Sequence, residues 1–204
     1  MRKLIFTTTV AAAFLAASAA TAEPRLGYKG DAALSADRMM GFTWSRAHRE
    51  FGGQSETVNV TGATFMWRGR AQPTPFEAPR LSFDYFVIDS LNIGGTVGYA
   101  SYGDDADSEH FLLAPRVGYM FGISQAWGFW LRGGLTYHSV NGPGNNGDED
   151  GMALTAEGMF TVTPVDHFGF TFGPTFDMDI TGSAGDADQT YRSFGINAGL
   201  VGWF

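Results

Sequence analysis

The sequence predicts an all-β fold, an antiparallel up-and-down β-barrel whose strands cross a membrane. Between Phe168 and Ile180 every second residue is apolar, and the residues between them are Gly, Thr or Asp. Side chains alternate between the two faces of a strand, so this stretch has one oily face and one small, polar face. After residue 22 no apolar segment is long enough for a transmembrane helix. Only strands closed into a barrel could then span a membrane, because lipid offers no partner to an unpaired N–H or C=O.

The first 22 residues have the features of a cleaved secretory signal peptide. Arg2 and Lys3 precede an apolar stretch, and the small residues 20–22 form a cleavage site before Glu23. The alternative is a single membrane anchor, for which the apolar run is short. We therefore predict an exported chain with a signal peptide at 1–22, a short periplasmic lead at 23–33 and one outer-membrane barrel domain at 34–204.

The charge balance argues against a nucleic-acid partner. The whole sequence has a formal net charge of −8, and loss of Arg2 and Lys3 makes the mature chain more acidic still. Binding to nucleic acid needs a basic surface instead. The sequence contains no cysteine, so an exported fold must be held by its backbone ladder and its packing rather than by disulfides.

The remaining strands repeat the alternation seen at 168–180. In the first of them, Met40, Phe42 and Trp44 share an oily face with Arg38, whose long side chain could reach the membrane interface. The strands average about 11 residues, which suits a tilted strand crossing a bilayer. The predicted strands are 34–47, 81–87, 91–100, 111–121, 127–137, 152–162, 168–180 and 191–204.

The connections between these strands alternate in length. Those at 89–90, 122–126 and 164–167 are short, whereas those at 103–109, 141–150 and 181–189 are longer, glycine-rich and acidic. Outer-membrane barrels have short periplasmic turns and longer external loops, with aromatic girdles at both interfaces. The predicted girdles are Tyr99, Tyr102, Tyr137 and Tyr191 at the long-loop end, and Trp127, Phe129, Trp203 and Phe204 at the short-turn end.

The stretch 48–78 determines the strand count. Residues 57–67 have a strand-like composition, but neither face is cleanly apolar, and a proline-rich piece follows. As a full strand, 57–67 would make nine strands and leave the first and last parallel. As an excursion within one long outer loop, it leaves eight strands with both termini in the periplasm. Bacterial barrels have an even number of antiparallel strands, which favours eight.

The chain resembles the small eight-stranded outer-membrane β-barrel proteins, the class of the OmpA membrane domain, OmpX and OmpW. The resemblance covers residues 34–204 and rests on the export signal, the alternating strands, the loop asymmetry and the C-terminal aromatic residue. In that class the last strand carries a signal for the barrel-assembly machinery, which the resemblance assigns here to Asn197, Gly199 and Phe204. Gly202 departs from the pattern, since an apolar residue is usual at that position.

A soluble lipocalin-like barrel is the alternative fold. It has the same alternation with its oily face turned inward, and periodicity alone does not distinguish the two. The opposite face here is mostly Gly, Ser, Thr and Ala, which fits the narrow lumen of an eight-stranded barrel. The few charges on that face are mixed in sign, which suits pairing inside a lumen.

Inward-facing charges form the main candidate site. Folding the hairpins about their turn centres brings Arg116, Arg132 and Glu157 to similar heights, with Asp84 opposite Thr96, and Asp177 lies on the same face. Arg132 and Glu157 should be cross-strand neighbours. We predict a structural plug of ion pairs, because eight strands leave no room for a wide channel. A gate or selectivity site in a narrow pore for small solutes is the alternative.

The loops offer weaker candidates. Clustered carboxylates can hold Ca²⁺ or Mg²⁺, which is the alternative interpretation of the acidic loops. None of these carboxylates has EF-hand spacing, so we expect solvated charge with no metal and no cofactor. The basic residues of the first loop could bind lipopolysaccharide phosphates. The acidic set is Asp104, Asp105, Asp107, Glu109, Asp148, Glu149, Asp150, Asp186 and Asp188, and the basic set is Arg46, His48, Arg49, Arg68 and Arg70.

Some barrels of this size modify lipid A with a His, a Ser and an acid. His138 and Ser139 are adjacent, so they face opposite sides of a strand and make a poor dyad. His110 lies near Asp107 and Ser108, but in a loop, where proximity carries little weight. We predict a monomeric, non-enzymatic outer-membrane protein with a structural or surface-interaction role, in contact with lipid and lipopolysaccharide.

Overall fold

The structure, a computed structural model, describes residues 26–65, 74–102, 108–141, 148–185 and 187–204. Within these residues no helix is long and apolar enough to cross a membrane. A short 3₁₀ turn occupies Pro75–Glu77. The strands are β1 Ala32–Phe51, β2 Gln54–Phe65, β3 Arg80–Ile88, β4 Leu91–Tyr102, β5 Ser108–Ser124, β6 Trp127–Asn141, β7 Glu149–Val165, β8 Phe168–Ala184 and β9 Ala187–Trp203.

The sheet closes on itself as an antiparallel up-and-down barrel. Each strand from β3 to β9 pairs with the next one along the chain, and β1 pairs with β9 to complete the ring. On its other edge, β1 pairs with β3 through Ala32–Asp37 and with β2 through Met40–Phe51. The nine strands therefore occupy eight positions around the ring, because β2 and β3 follow one another along a single edge. The predicted fold class is confirmed.

The stretch expected as a long outer loop is instead largely regular structure. β1 continues to Phe51 and forms a hairpin with β2, which contains most of the doubtful segment 57–67. This hairpin adds no ninth position to the ring, so β1 and β9 remain antiparallel as an even barrel requires. Most side chains of β2 are exposed, so neither of its faces has to be uniformly apolar, and this explains the mixed pattern in the sequence.

The oily faces point outward and the small, polar faces point inward. Phe170 is 46% exposed, whereas Thr171 beside it is 1% exposed. On β1, Phe42 and Trp44 are exposed while Thr43 between them is buried. A lipocalin-like arrangement would reverse these faces. The outer surface of the barrel therefore suits lipid, and the lipocalin-like alternative with its oily face inward is wrong.

The three connections predicted to be short are two-residue turns. They lie at 89–90, 125–126 and 166–167, and we call this the short-turn end of the barrel. Ser90 and His167 each have a positive φ, near 69° and 66°, as tight hairpin turns require. At the opposite, long-loop end, 103–107 and 142–147 lie outside the described residues.

Apolar side chains close the short-turn end from within. The chain before β1 passes beneath the barrel, where the Ser90 amide donates to the Gly27 carbonyl at 2.7 Å. This lead places Leu26 among inward-facing residues of the strands, so it packs as part of the domain. We call the resulting group the floor cluster: Leu26, Ala33, Phe86, Met120, Trp130, Met159, Val201 and Trp203.

Three side chains lie on the face opposite to the predicted one. Tyr191 and Trp203, expected in the aromatic girdles, are both 5% exposed and face the lumen. Arg38, expected on the oily face, is 4% exposed and also points inward. Arg38 has φ 56° and lies in the register shift between Ala36 and Met40, so a β-bulge turns it away from the lipid side.

Candidate functional site

Eight charged side chains meet across the middle of the lumen, and we call them the charge layer. They come from six of the strands, and none is more than 7% exposed. Four guanidinium groups and four carboxylates balance one another in formal charge. The charge layer comprises Arg38, Arg80, Arg116 and Arg132 with Asp37, Asp84, Glu157 and Asp177.

Arg132 and Glu157 lie directly opposite each other on β6 and β7. Arg132 Nη2 is 2.9 Å from Glu157 Oε2, which agrees with the cross-strand pairing predicted from their positions in the hairpin. Arg132 also donates to Asp37 at 3.2 Å. Its guanidinium lies 4.8 Å from the Trp130 ring centroid, a cation–π contact that joins the charge layer to the floor cluster.

Arg116 binds the carboxylate of Asp84 in a bidentate manner. Its Nη2 lies 2.5 Å from one Asp84 oxygen, and its Nε donates to the other at 3.1 Å. Nη1 donates to Asp37 at 2.9 Å. Asp37 therefore bridges Arg116 and Arg132, and it also accepts a hydrogen bond from Ser82 at 2.7 Å. Two parallel N–H···O bonds fix the guanidinium plane as well as its distance.

Arg38 connects the acidic groups on the other side of the lumen. It donates to Asp177 at 2.7 and 3.1 Å and to Glu157 at 3.1 Å. Arg38 Nη1, which donates to Asp177 at 2.7 Å, also donates to the carbonyl of Phe76 at 2.9 Å. Arg80 donates to the same carbonyl at 3.1 Å and lies 3.7 Å from Asp177. The turn 75–77 is thus held inside the barrel by two arginines.

The charge layer contains all five lumen residues singled out from the sequence and three others. Asp84, Arg116, Arg132, Glu157 and Asp177 lie together as described, although Asp84 is opposite Gly94 rather than Thr96. A two-residue turn at 89–90 would by itself place Asp84 opposite Gly95, and an irregularity between Phe86 and Ile88 shifts the register by one further residue. Asp37, Arg38 and Arg80 were missed. The adjacent pair 37–38 breaks strict alternation, and Arg80 precedes the predicted strand 81–87.

Above the charge layer, the turn 75–77 fills the lumen towards the long-loop end. Phe76 is fully buried, with its ring 5.1 Å from that of His138 and 6.5 Å from that of Tyr191. Ser45 donates to the Glu77 carboxylate at 3.0 Å and shares a hydrogen bond with Ser193. This segment plugs the space above the arginines, a role that its proline-rich sequence did not reveal.

Little free space remains between the charged groups. A cavity of about 10 Å³ borders Arg80, Arg116, Arg132 and Glu157. That volume is about the minimum needed to hold one water molecule. The charge layer therefore provides fixed, mutually neutralised groups rather than an open binding pocket.

His138 and Ser139 do not form a dyad, and Asp107, the acid considered with His110, lies outside the described residues. His138 is buried with Nε2 2.9 Å from Asp179 Oδ1, while Ser139 faces the other side of β6. His110 is buried on the inner face of β5. Among the described residues, no group of three or more His, Cys, Asp or Glu could hold a metal ion. Asp104, Asp105, Asp107, Asp186, Arg68 and Arg70 lie outside the described residues.

The residues assigned to an assembly signal lie on the last strand. Asn197 donates to Thr175 at 2.7 Å, and Gly199 is so close to the neighbouring strand that a Cβ would be 2.4 Å from the Ala36 carbonyl oxygen. Phe204 is 72% exposed, and its backbone exchanges two hydrogen bonds with Ala32. The strand that would carry the signal thus also closes the ring, and recognition by the assembly machinery stays a prediction.

Comparison with known proteins identifies the fold. No protein-family model matches the sequence, and no curated protein matches it. Neisserial surface protein A, NspA, superposes with a TM-score of 0.52 at 14% identity, covering 88% of this chain and all of NspA. The outer membrane protein OprG from Pseudomonas aeruginosa superposes with a TM-score of 0.51 at 11% identity, covering 89% of this chain and 99% of OprG. The chain has the fold of the small outer-membrane β-barrels.

Proposed function

We propose that this chain is a non-enzymatic outer-membrane β-barrel with a structural or surface-interaction role and a closed lumen. The observation that carries the proposal is the charge layer, in which four arginines and four carboxylates pair across the barrel. An ion crossing this layer would have to separate buried partners. Separating buried partners leaves uncompensated charge in a region of low dielectric constant, which opposes passage.

Two further layers support a closed barrel rather than a narrow pore. The floor cluster blocks the short-turn end with apolar side chains, and Phe76 fills the lumen above the arginines. A solute would therefore meet three barriers of different chemistry in series. This arrangement stabilises the barrel wall from within and leaves the outside for interaction.

The long-loop end supports a surface role. The hairpin of β1 and β2 continues to Phe51 and Gln54, where its residues are exposed and largely polar. Its end lies seven residues along β1 from Trp44, an exposed aromatic residue of the oily band, and Phe51 at that end is itself exposed. A hairpin that continues beyond the oily band presents a surface to the exterior.

Cell fractionation tests the proposed location. We expect the mature protein in the outer membrane, with faster migration on gels before heating than after it, because a closed barrel resists detergent. A heat-denatured sample of the same fraction is the control. Recovery as a freely soluble periplasmic protein would refute the proposed location.

Conductance across a planar bilayer tests the closed lumen. We expect no current or rare, small steps from the reconstituted protein, since the charge layer leaves a cavity of only about 10 Å³. The paired variant Phe76→Gly/Glu77→Gly should stay silent, because the arginines below it still close the lumen. Large, steady currents through the wild-type protein would show that the charge layer does not seal the barrel.

A further inference from the structure

Two arginines lie side by side on the outer wall of the barrel. Arg46 on β1 and Arg192 on β9 are direct cross-strand partners, and both are exposed. The neighbouring residues Ser45 and Ser193 are buried and face the lumen. Because successive residues of a strand face opposite sides, the two arginine side chains are on the outer face. Like charges placed directly opposite one another destabilise a sheet. An anionic ligand between them would remove that cost.

The nearest acidic groups on the same face are too distant to neutralise the pair. Glu50 and Asp188 are also cross-strand partners, four residues further along each strand. At a strand rise of about 3.3 Å per residue, roughly 13 Å separates the two rows. Within the described part of the chain, no carboxylate forms an ion pair with Arg46 or Arg192.

The arginine pair lies at the edge of the oily band. One outward position below it, Trp44 and Phe194 are cross-strand partners whose rings stack with centroids 5.9 Å apart. On β8, the outward residues beside Arg192 are Met178 and the exposed Ile180. Aromatic residues mark the membrane interface in such barrels, so the two arginines lie at the level of the lipid headgroups.

We propose that Arg46 and Arg192 bind the phosphate of a lipid in the outer leaflet. Guanidinium groups bind phosphate oxygens through paired, charge-assisted hydrogen bonds, and two of them side by side can share one phosphate. The acyl chains of the same lipid would then run down over Trp44 and Phe194. This inference rests on the proposed outer-membrane function, and it adds a specific lipid-binding site to it.

Lipid binding in non-ionic detergent micelles tests the site without depending on where the protein resides in the cell. The probe is lipid A carrying its phosphates, titrated against the folded mature protein and followed by native mass spectrometry. We expect Arg46→Gln and Arg192→Gln each to weaken binding about tenfold, and the double variant about a hundredfold, since each removes a charge-assisted contact. Arg49→Gln is the matched control, because that residue lies on the same strand but on the other face.

Three outcomes would overturn the proposal. They are equal affinity of the double variant and the wild type, equal binding of lipid A stripped of its phosphates, and inorganic phosphate binding as tightly as lipid A. The second and third need no variant, so a folding defect would not obscure them. If the protein is found in the outer membrane but lipid A binding does not depend on the two arginines, this inference alone is refuted. If the protein is found in the periplasm, the proposed function is refuted.

Discussion

Replacing Glu157 with glutamine is expected to lower the free energy of unfolding by about 3–5 kcal/mol. Glu157 lies within 3.5 Å of three guanidinium groups, those of Arg38, Arg116 and Arg132. A neutral amide leaves four buried arginines facing three carboxylates, with too little negative charge between them. Urea unfolding of the protein in lipid vesicles measures the loss. Glu56→Gln, an exposed carboxylate on β2, is the matched control and should leave the unfolding midpoint unchanged.

The double variant Arg132→Gln/Glu157→Gln should recover part of that loss. Removing both partners restores the charge balance of the layer, although Asp37 then keeps only Arg116 among its ion-pair partners. The recovery of stability should be incomplete for that reason, and because Glu157 also forms an ion pair with Arg38. A double variant that loses as much as the two single variants together would show that the residues are uncoupled. The cross-strand contact would then contribute nothing specific.

The strands and their faces could be predicted because the sheet obeys a period of two over long stretches. The alternation from Phe168 to Ile180 determined one strand, and its face followed from which residues lipid tolerates. Hairpin symmetry then placed Arg132 opposite Glu157, where no bulge lies near the pair. Asp84 shows the limit of this reasoning, since the exact position of its turn and one irregularity beside it together place Asp84 opposite Gly94 instead of Thr96.

What could not be predicted depends on backbone departures from regular pairing. Arg38 follows Asp37 directly, yet both side chains point into the lumen because a bulge inserts extra residues into β1. Phe76 enters the barrel through a proline-containing turn that pairs with no strand. Such features are decided by tertiary contacts, here by buried carboxylates and carbonyls that need arginine donors. The outer arginine pair was also hidden, since it exists only through the closure of β1 on β9.

Arg38→Gln is the second substitution with a large expected effect, about 3–5 kcal/mol of unfolding free energy. It removes the closest cation from Asp177, leaving Arg80 at 3.7 Å, and takes one donor from the Phe76 carbonyl. The unfolding free energy of Arg38→Lys should lie between those of the wild type and Arg38→Gln, because an ammonium keeps the charge but cannot bind Asp177 in a bidentate manner.

Arg46→Gln is the control for this experiment, since the same change on the same strand then occurs at an exposed side chain. Unfolding in vesicles of a lipid without net charge should detect a loss for Arg38→Gln. It should detect no loss, and at most a small gain, for Arg46→Gln, which removes the like-charge pair with Arg192. Strict alternation along β1 would put both Arg38 and Arg46 on the outer face. The β-bulge turns Arg38 into the lumen and leaves Arg46 outside. Equal, small effects of the two substitutions would mean that Arg38 lies against the lipid, and that Asp177 is neutralised without it. A large effect confined to Arg38→Gln would show that Arg38 faces the lumen, where the bulge in β1 places it, and that it stabilises the charge layer.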